Sequence, residues 1–164
     1  MDSYAIILAA GKGKRMRDEA APAEFPKVLR QANGRPLISY VIDALNGAGI
    51  DDINLIVGFG ADYVRQVMGE NRRYIVQNEQ LGSGHAVLCA KETLGGRIGT
   101  AIIMCGDSPL FTASTISALK EKHITSGATI PLVSTTLDDP TGYGRIKRFP
   151  SGEISGIVEE KCAD

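Results

Sequence analysis

The sequence predicts an α/β fold: a three-layer α/β/α arrangement around a mostly parallel sheet. Three observations carry this. Short apolar runs (Ile6-Ile7-Leu8, Ile53 to Val57, Ala101 to Met104) lack the in-out alternation of half-exposed strands, as strands buried on both faces do. Between them lie stretches of helical spacing, led by Leu37, Ile38, Val41, Ile42 and Leu45. The loops after Ile6-Ile7-Leu8, after the short strand Tyr74 to Gln77 and after Ala101 to Met104 then carry glycines, cations or an acid, where ligands bind parallel sheets. Strand alternating with helix implies right-handed crossovers that cover both faces.

In order, the first strand ends in Gly11-Lys12-Gly13. A loop through Asp18, Glu19 and Ala20 reads as an exposed, mobile excursion before Phe25-Pro26-Lys27-Val28-Leu29 returns to the body. Asn33-Gly34 is a turn signal, and the helix from Leu37 stops at Asn46-Gly47. Ile53 to Val57 is a second strand, followed by a helix with Tyr63, Val64 and Val67 on its inner face. Tyr74 to Gln77 is a third, short strand, and a helix runs through Val87, Leu88 and Leu94. After the fourth strand, Thr112 or Ser114 caps a helix carrying Ile116, Leu119 and His123. Ile130 to Val133 reads as a fifth strand, with Pro131 placing it at an edge or bulge. Arg145 to Lys147 and Ile154 to Glu159 read as paired strands around Phe149-Pro150-Ser151-Gly152. No repeat, low-complexity tract or linker interrupts the chain, so residues 1–164 read as one domain.

Composition excludes several classes. A net charge of −1 gives no basic field for nucleic acid, and four Phe, five Tyr and no Trp leave little for base stacking. No apolar run approaches the ~20 residues of a membrane span, and no secretory signal is visible. Cys89, Cys105 and Cys162 are far apart, without metal-type spacing, and read as free thiols of a cytoplasmic protein.

The first loop is the most informative stretch. Gly11 and Gly13 allow close backbone approach, and Lys12, Lys14 and Arg15 add positive charge where the strand ends. The spacing is not a dinucleotide fingerprint, which needs glycine at Met16, nor a P-loop. By itself the stretch admits two readings, a polyphosphate cradle or a solvated basic turn. Asp107 follows a buried strand and reads either as a helix cap or as a carboxylate for Mg²⁺, which takes one or two carboxylates plus phosphate oxygens and waters. Gln77 and Gly82-Ser83-Gly84 offer an amide, a hydroxyl and backbone N–H groups suited to a base edge, or a plain connection. His85 and His123 read as structural, with no nucleophile beside them. Asp138 to Arg145 reads as a turn with an aromatic plug at Tyr143, or as backbone laid against a sugar that Glu159 accompanies.

Together these pieces resemble the sugar nucleotidyltransferase family, and within it the pyrophosphorylase domain of bacterial bifunctional UDP-N-acetylglucosamine pyrophosphorylases. The matching words are Leu8-Ala9-Ala10-Gly11-Lys12-Gly13 with Arg15-Met16, Pro26-Lys27-Val28-Leu29, Gln80 to Ala86, Gly106-Asp107-Ser108-Pro109-Leu110, Asp138 to Ile146, and Gly156-Ile157-Val158-Glu159. The resemblance implies a Rossmann-like sheet of the nucleotide-diphospho-sugar transferase type. It implies that Leu8, Ala9, Ala10 and Gly11 hold the nucleotide by backbone, and that Gly13, Arg15 and Lys27 hold its phosphates. Gln77, Gly82 and Ser83 would read uracil, and Gly106 and Asp107 would contact nucleoside and metal. Gly144 and Glu159 would contact an acetamido sugar.

Transfer of uridylyl from UTP to N-acetylglucosamine 1-phosphate, with Arg15, Lys27 and Asp107 catalytic and Mg²⁺ bound, follows as the implied activity. That reaction makes a cell-wall precursor. The sequence departs from the family twice: its loop between Met16 and Pro26 is longer, and it stops at Asp164 where the family's domain continues. The carboxyl-terminal part therefore reads as truncated. Two rival readings stay open, a nucleotidyltransferase for another base or sugar, and a module that holds nucleotide without turnover.

Overall fold

A computed structural model describes residues 2–13, 22 and 25–162. By their own contacts the residues fall into two units, 1–129 and 130–164.

The first unit is built on four parallel strands: β1 (Ser3–Leu8), β4 (Ile53–Val57), β5 (Arg73–Val76) and β6 (Thr100–Cys105). Their order is β5-β4-β1-β6. β1 aligns Ala5 with Ile53 on one edge and with Ile102 on the other. The chain steps outward from β1 to β4 and β5, then returns to the far side of β1, so the strand order switches between β1 and β6. A hairpin of β2 (Gln31–Ala32) and β3 (Arg35–Pro36) turns at Asn33 and Gly34, both with positive φ, as the dipeptide requires.

Residue parity assigns the helices to layers. Ala5 and Ile7 pack with α1 (Leu37–Gly47), α2 (Ala61–Met68) and α5 (Ala113–Ser126) through Ile38, Val41, Val64 and Ile116. Tyr4 and Ile6 face α3 (Ser83–Cys89) and α4 (Lys91–Leu94) through Ala86 and Leu94. The one fully buried side-chain amide of the central sheet, Asn54, donates from Nδ2 to the Ala5 carbonyl at 2.9 Å and accepts from Arg73 at 3.0 Å. Of the two candidate caps, Thr112 accepts from the Thr115 N–H at 3.2 Å.

Several expectations need correction. β6 is not buried on both faces: Ile102 and Met104 are buried, whereas Ile103 is 50% exposed. Among the described residues β6 pairs only with β1, and Ile103, opposite Ile6, lies on the α3 side of this edge strand. Val67 stands exposed rather than inward, and the helix through Val87 and Leu88 breaks at Ala90. Ile130 to Val133 forms no strand; Pro131 brings no N–H to a ladder, and no described strand pairs with the segment. The Asp18 to Ala20 excursion lies outside the described residues.

The second unit holds the expected antiparallel pair, β7 (Arg145–Arg148) and β8 (Ile154–Val158), with Arg145 opposite Val158. Its Asp138 to Arg145 stretch is a turn in which the Asp139 carboxylate accepts from the Thr141 N–H and hydroxyl. Those hydrogen bonds hold that carboxyl below its usual range. Tyr143 is exposed and plugs nothing within this unit.

Leu55 is fully buried in β4. Leu55→Ala removes its packing at a cost of about 2–5 kcal/mol, and Thr112→Ala costs about 1 kcal/mol. Thermal unfolding by circular dichroism should order the midpoints wild type, Thr112→Ala, Leu55→Ala; an unchanged midpoint for Leu55→Ala would remove it from the core.

Candidate functional site

A cleft of about 510 Å³ opens at the carboxyl edge of the four-stranded sheet. Three chain segments build it. The first follows β1: Leu8, Ala10, Gly11, Lys12 and Gly13 line the cleft. Leu8 and Ala10 share the parity of Tyr4 and Ile6, so the cleft lies on the α3 side of the sheet. The sheet pins the loop where it starts, because the Ala9 N–H donates to the Ile56 carbonyl at 2.8 Å.

Of the glycines of this loop, Gly13 is required by contact and Gly11 is not. Gly13 has a φ of 58°, and a Cβ there would meet the Lys27 Cβ at 2.7 Å. A Cβ on Gly11 would sit 3.6 Å from the Lys27 Cε. The apolar stem of Lys27 thus lies along a Cβ-free loop and carries its ammonium into the cleft. Lys27 itself belongs to a single 3₁₀ turn, Lys27–Leu29, anchored by buried Val28 and Leu29.

The second segment follows β6. Asp107 lines the cleft, and its Oδ2 lies 2.6 Å from the Lys27 Nζ. Both side chains are about three-quarters shielded, at 27% and 21% exposure. Cys105, last in β6, also lines the cleft; desolvation pushes its thiol up, the Asp107 carboxylate adds to this, and Lys27 opposes it. Gly106 does not line the cleft. Its N–H donates to the Leu8 carbonyl at 3.0 Å, and a Cβ there would meet Val28 at 3.0 Å and Ile7 at 3.2 Å. Its place is the tight closure of β6 on β1.

The third segment joins β5 to α3: Gln77, Gln80, Gly82, Ser83 and Ala86 reach the cleft. Gln77 is 3% exposed, and its N–H extends the sheet to the Val57 carbonyl at 2.7 Å. The Gln77 amide nitrogen lies 3.2 Å from the Gly82 carbonyl and 3.0 Å from the His85 Nδ1. Gly82 has a φ of 107°, outside the range of residues with a side chain.

The structure therefore gathers Leu8, Ala10, Gly11, Gly13, Lys27 and Asp107 with Gln77, Gly82 and Ser83 at one cleft. Ala9 is buried in the core beneath it. Arg15 lies outside the described residues. Gly144 and Glu159 belong to the second unit, where a Cβ on Gly144 would meet Ile157 at 3.1 Å and the Glu159 carbonyl accepts from the Cys162 N–H.

Four cleft residues were not singled out as ligand contacts from sequence: Lys12, Gln80, Ala86 and Cys105. Gln80 and Ala86 sit in the glycine-rich word already marked, and Lys12 was counted only as loop charge. Cys105 is signalled only by its position one residue before Gly106-Asp107. Gly58 was also missed: a Cβ there would meet the Gln77 carbonyl at 2.7 Å and the Gln80 Nε2 at 3.1 Å. A glycine directly after a buried strand was the available clue.

Among the described residues no group of three His, Cys, Asp or Glu side chains could hold a metal ion unaided. A lone carboxylate in a cleft fits Mg²⁺ only as that ion travels with phosphate oxygens and water.

Comparison with known proteins gives the family. The MobA-like NTP transferase domain matches residues 5–148. The chain is 44% identical over 160 residues to the bifunctional protein GlmU of Heliobacterium modesticaldum, covering 98% of this chain and 34% of that protein. It is 46% identical over 162 residues to bifunctional protein GlmU of Clostridium botulinum strain Loch Maree, again covering 98% and 34%. The chain thus spans about a third of the length of these relatives.

Among solved structures, a Bacillus anthracis protein described as a glucose-1-phosphate thymidylyltransferase superposes with a TM-score of 0.81 at 22% identity, over 97% of this chain and 65% of that one. A nucleotidyl transferase from Methanothermobacter thermautotroptrophicus matches with a TM-score of 0.60 at 27% identity, over 73% and 56%. The first of these speaks for the fold, a nucleotide-diphospho-sugar transferase sheet. With a match that runs from the middle of β1 to the end of β7, the chain belongs to the MobA-like NTP transferases.

Proposed function

We propose that the chain transfers uridylyl from UTP to N-acetylglucosamine 1-phosphate and releases pyrophosphate. The observation that carries this reading is the single cleft in which a glycine loop, the Lys27–Asp107 pair and the Gln77 amide meet. The first suits a triphosphate, the second its charge and cation, and the third the polar edge of a base. The similarity to bifunctional GlmU proteins supports the sugar and base assignments.

In the reaction an oxygen of the sugar 1-phosphate forms a new bond to the α-phosphorus. The bond from that phosphorus to the bridging oxygen of pyrophosphate breaks, and the leaving group takes the electron pair. The protein positions the groups and neutralises developing charge; it forms no covalent intermediate. Backbone from Leu8 to Gly11, with Gly13, holds the nucleotide. Lys27, joined in this reading by Arg15, faces the phosphates. Asp107 is the residue that would hold Mg²⁺, which would supply charge neutralisation. Gly106 backs the nucleoside, and Gly144 and Glu159 are assigned to the acetamido sugar.

No helix among the described residues is long and apolar enough to cross a membrane. The three cysteines are free thiols, in keeping with the cytoplasm as the place of action.

A pyrophosphate-release assay crossing four nucleoside triphosphates with several sugar phosphates should select UTP and N-acetylglucosamine 1-phosphate. Preference for CTP or GTP would overturn the uracil assignment, and UTP binding without release would leave a binding module. Lys27→Ala should lower kcat/KM roughly a hundredfold, the loss of about 2.7 kcal/mol of transition-state stabilisation, and unchanged kinetics would remove it from the site. Asp107→Ala should abolish Mg²⁺-dependent release while the melting midpoint stays within about 4 °C, as for a loss of about 1 kcal/mol; unfolding instead would make Asp107 a scaffold residue.

A further inference from the structure

The geometry points to His85 as the residue that sets which way the Gln77 amide faces, and hence which base the cleft accepts; this rests on the proposed nucleotide site. A side-chain amide can present either an acceptor or a donor, and the two choices select opposite bases. At Gln77 two groups bear on the choice. The Gly82 carbonyl, 3.2 Å away, can only accept and takes one hydrogen of the NH₂ group. The second amide hydrogen then meets the His85 Nδ1 at 3.0 Å. That contact is a hydrogen bond only if Nδ1 carries a lone pair, so the ring proton sits on Nε2.

Both amide hydrogens are thereby spent on the protein. Among the described residues nothing donates to the Gln77 Oε1, and Gln77 lines the cleft. What the cleft receives is an acceptor. Uracil meets an acceptor with its N3–H, whereas cytosine offers a lone pair at N3 and would be repelled. His85 is not itself among the residues lining the cleft, so it acts through Gln77 as a positioning residue.

His123 offers an internal contrast. Its Nδ1 lies 2.8 Å from the Ala128 carbonyl, so that nitrogen must donate. The chain has two histidines, and the geometry assigns them opposite tautomers.

The test is calorimetric binding of UTP and of CTP to the full chain as wild type, His85→Leu and His85→Asn. Leucine removes the acceptor, and the asparagine Oδ1 restores one near the place of Nδ1. His85→Leu should narrow the UTP-to-CTP affinity ratio about tenfold, the loss of one hydrogen bond's worth of orientation, and His85→Asn should keep it within about twofold of wild type. A wild-type ratio that survives unchanged in His85→Leu overturns the proposal and leaves the nucleotide site standing. A wild type that does not favour UTP overturns the uracil reading and this proposal with it. Should His85→Leu fail to fold, long-range ¹H–¹⁵N correlation of the wild-type rings at alkaline pH decides. An unprotonated Nδ1 in His85 beside a protonated Nδ1 in His123 supports the assignment, and a protonated Nδ1 in both overturns it.

Discussion

The structure depends on one constraint, that β1 is hydrogen-bonded along both edges and covered on both faces. A strand in that position has no water to satisfy its backbone, so every N–H and C=O must find a neighbour in β4 or β6. Its buried positions, Tyr4 to Ile7, must also be mainly apolar, because one parity packs on α1 and the other on α3. The constraint ends abruptly at Leu8. From β1 the chain goes out to β4 on one side, while β6 arrives on the other, and the loops leaving these strands diverge. The gap between them is the cleft, open where the backbone has just lost its partners and floored by Leu8 and Ala10.

Rigidity beneath this gap is what makes it useful. The last sheet hydrogen bonds, from the Ala9, Gln77 and Gly106 N–H groups, run one residue past the strands and pin the start of each loop. Gly13 then permits Lys27 to lie flat along the loop, and Gly58 permits Gln77 and Gln80 to close on the end of β4. The missing Cβ leaves room for the Lys27 stem at Gly13 and for the Gln77 carbonyl and Gln80 amide at Gly58, so these glycines serve the site through close packing as much as through backbone freedom.

The charges in the cleft are balanced within the protein itself. Lys27 and Asp107 neutralise one another at 2.6 Å, mostly shielded from water, and neither is left as an uncompensated charge. Holding a lysine in place costs about 1.5–2 kcal/mol of rotamer entropy, and folding has already ordered Lys27 against Asp107 before any substrate arrives. An anion would draw on Lys27 and a cation on Asp107.

The sequence alone determined what depends on neighbours along the chain. Apolar runs and helical spacing located β1, β4, β6 and α1; Asn33-Gly34 marked a turn, and Thr112 or Ser114 marked the start of α5. It also marked the three loops that line the cleft, because glycine, charge and amide at strand ends are local signals. Other features were decided by tertiary structure. Ile102 and Ile103 look alike in sequence, yet only one is buried, because β6 lies at an edge of the described sheet. The run at Ile130 to Val133 has strand composition but no described partner, and pairing cannot be read from one strand. Lys27 meets Asp107, and Gln77 turns its amide toward Gly82 and His85, through contacts between segments far apart or through a choice of side-chain rotation. Periodicity records which way a residue faces; which group it finds there is set by the packing of the whole sheet.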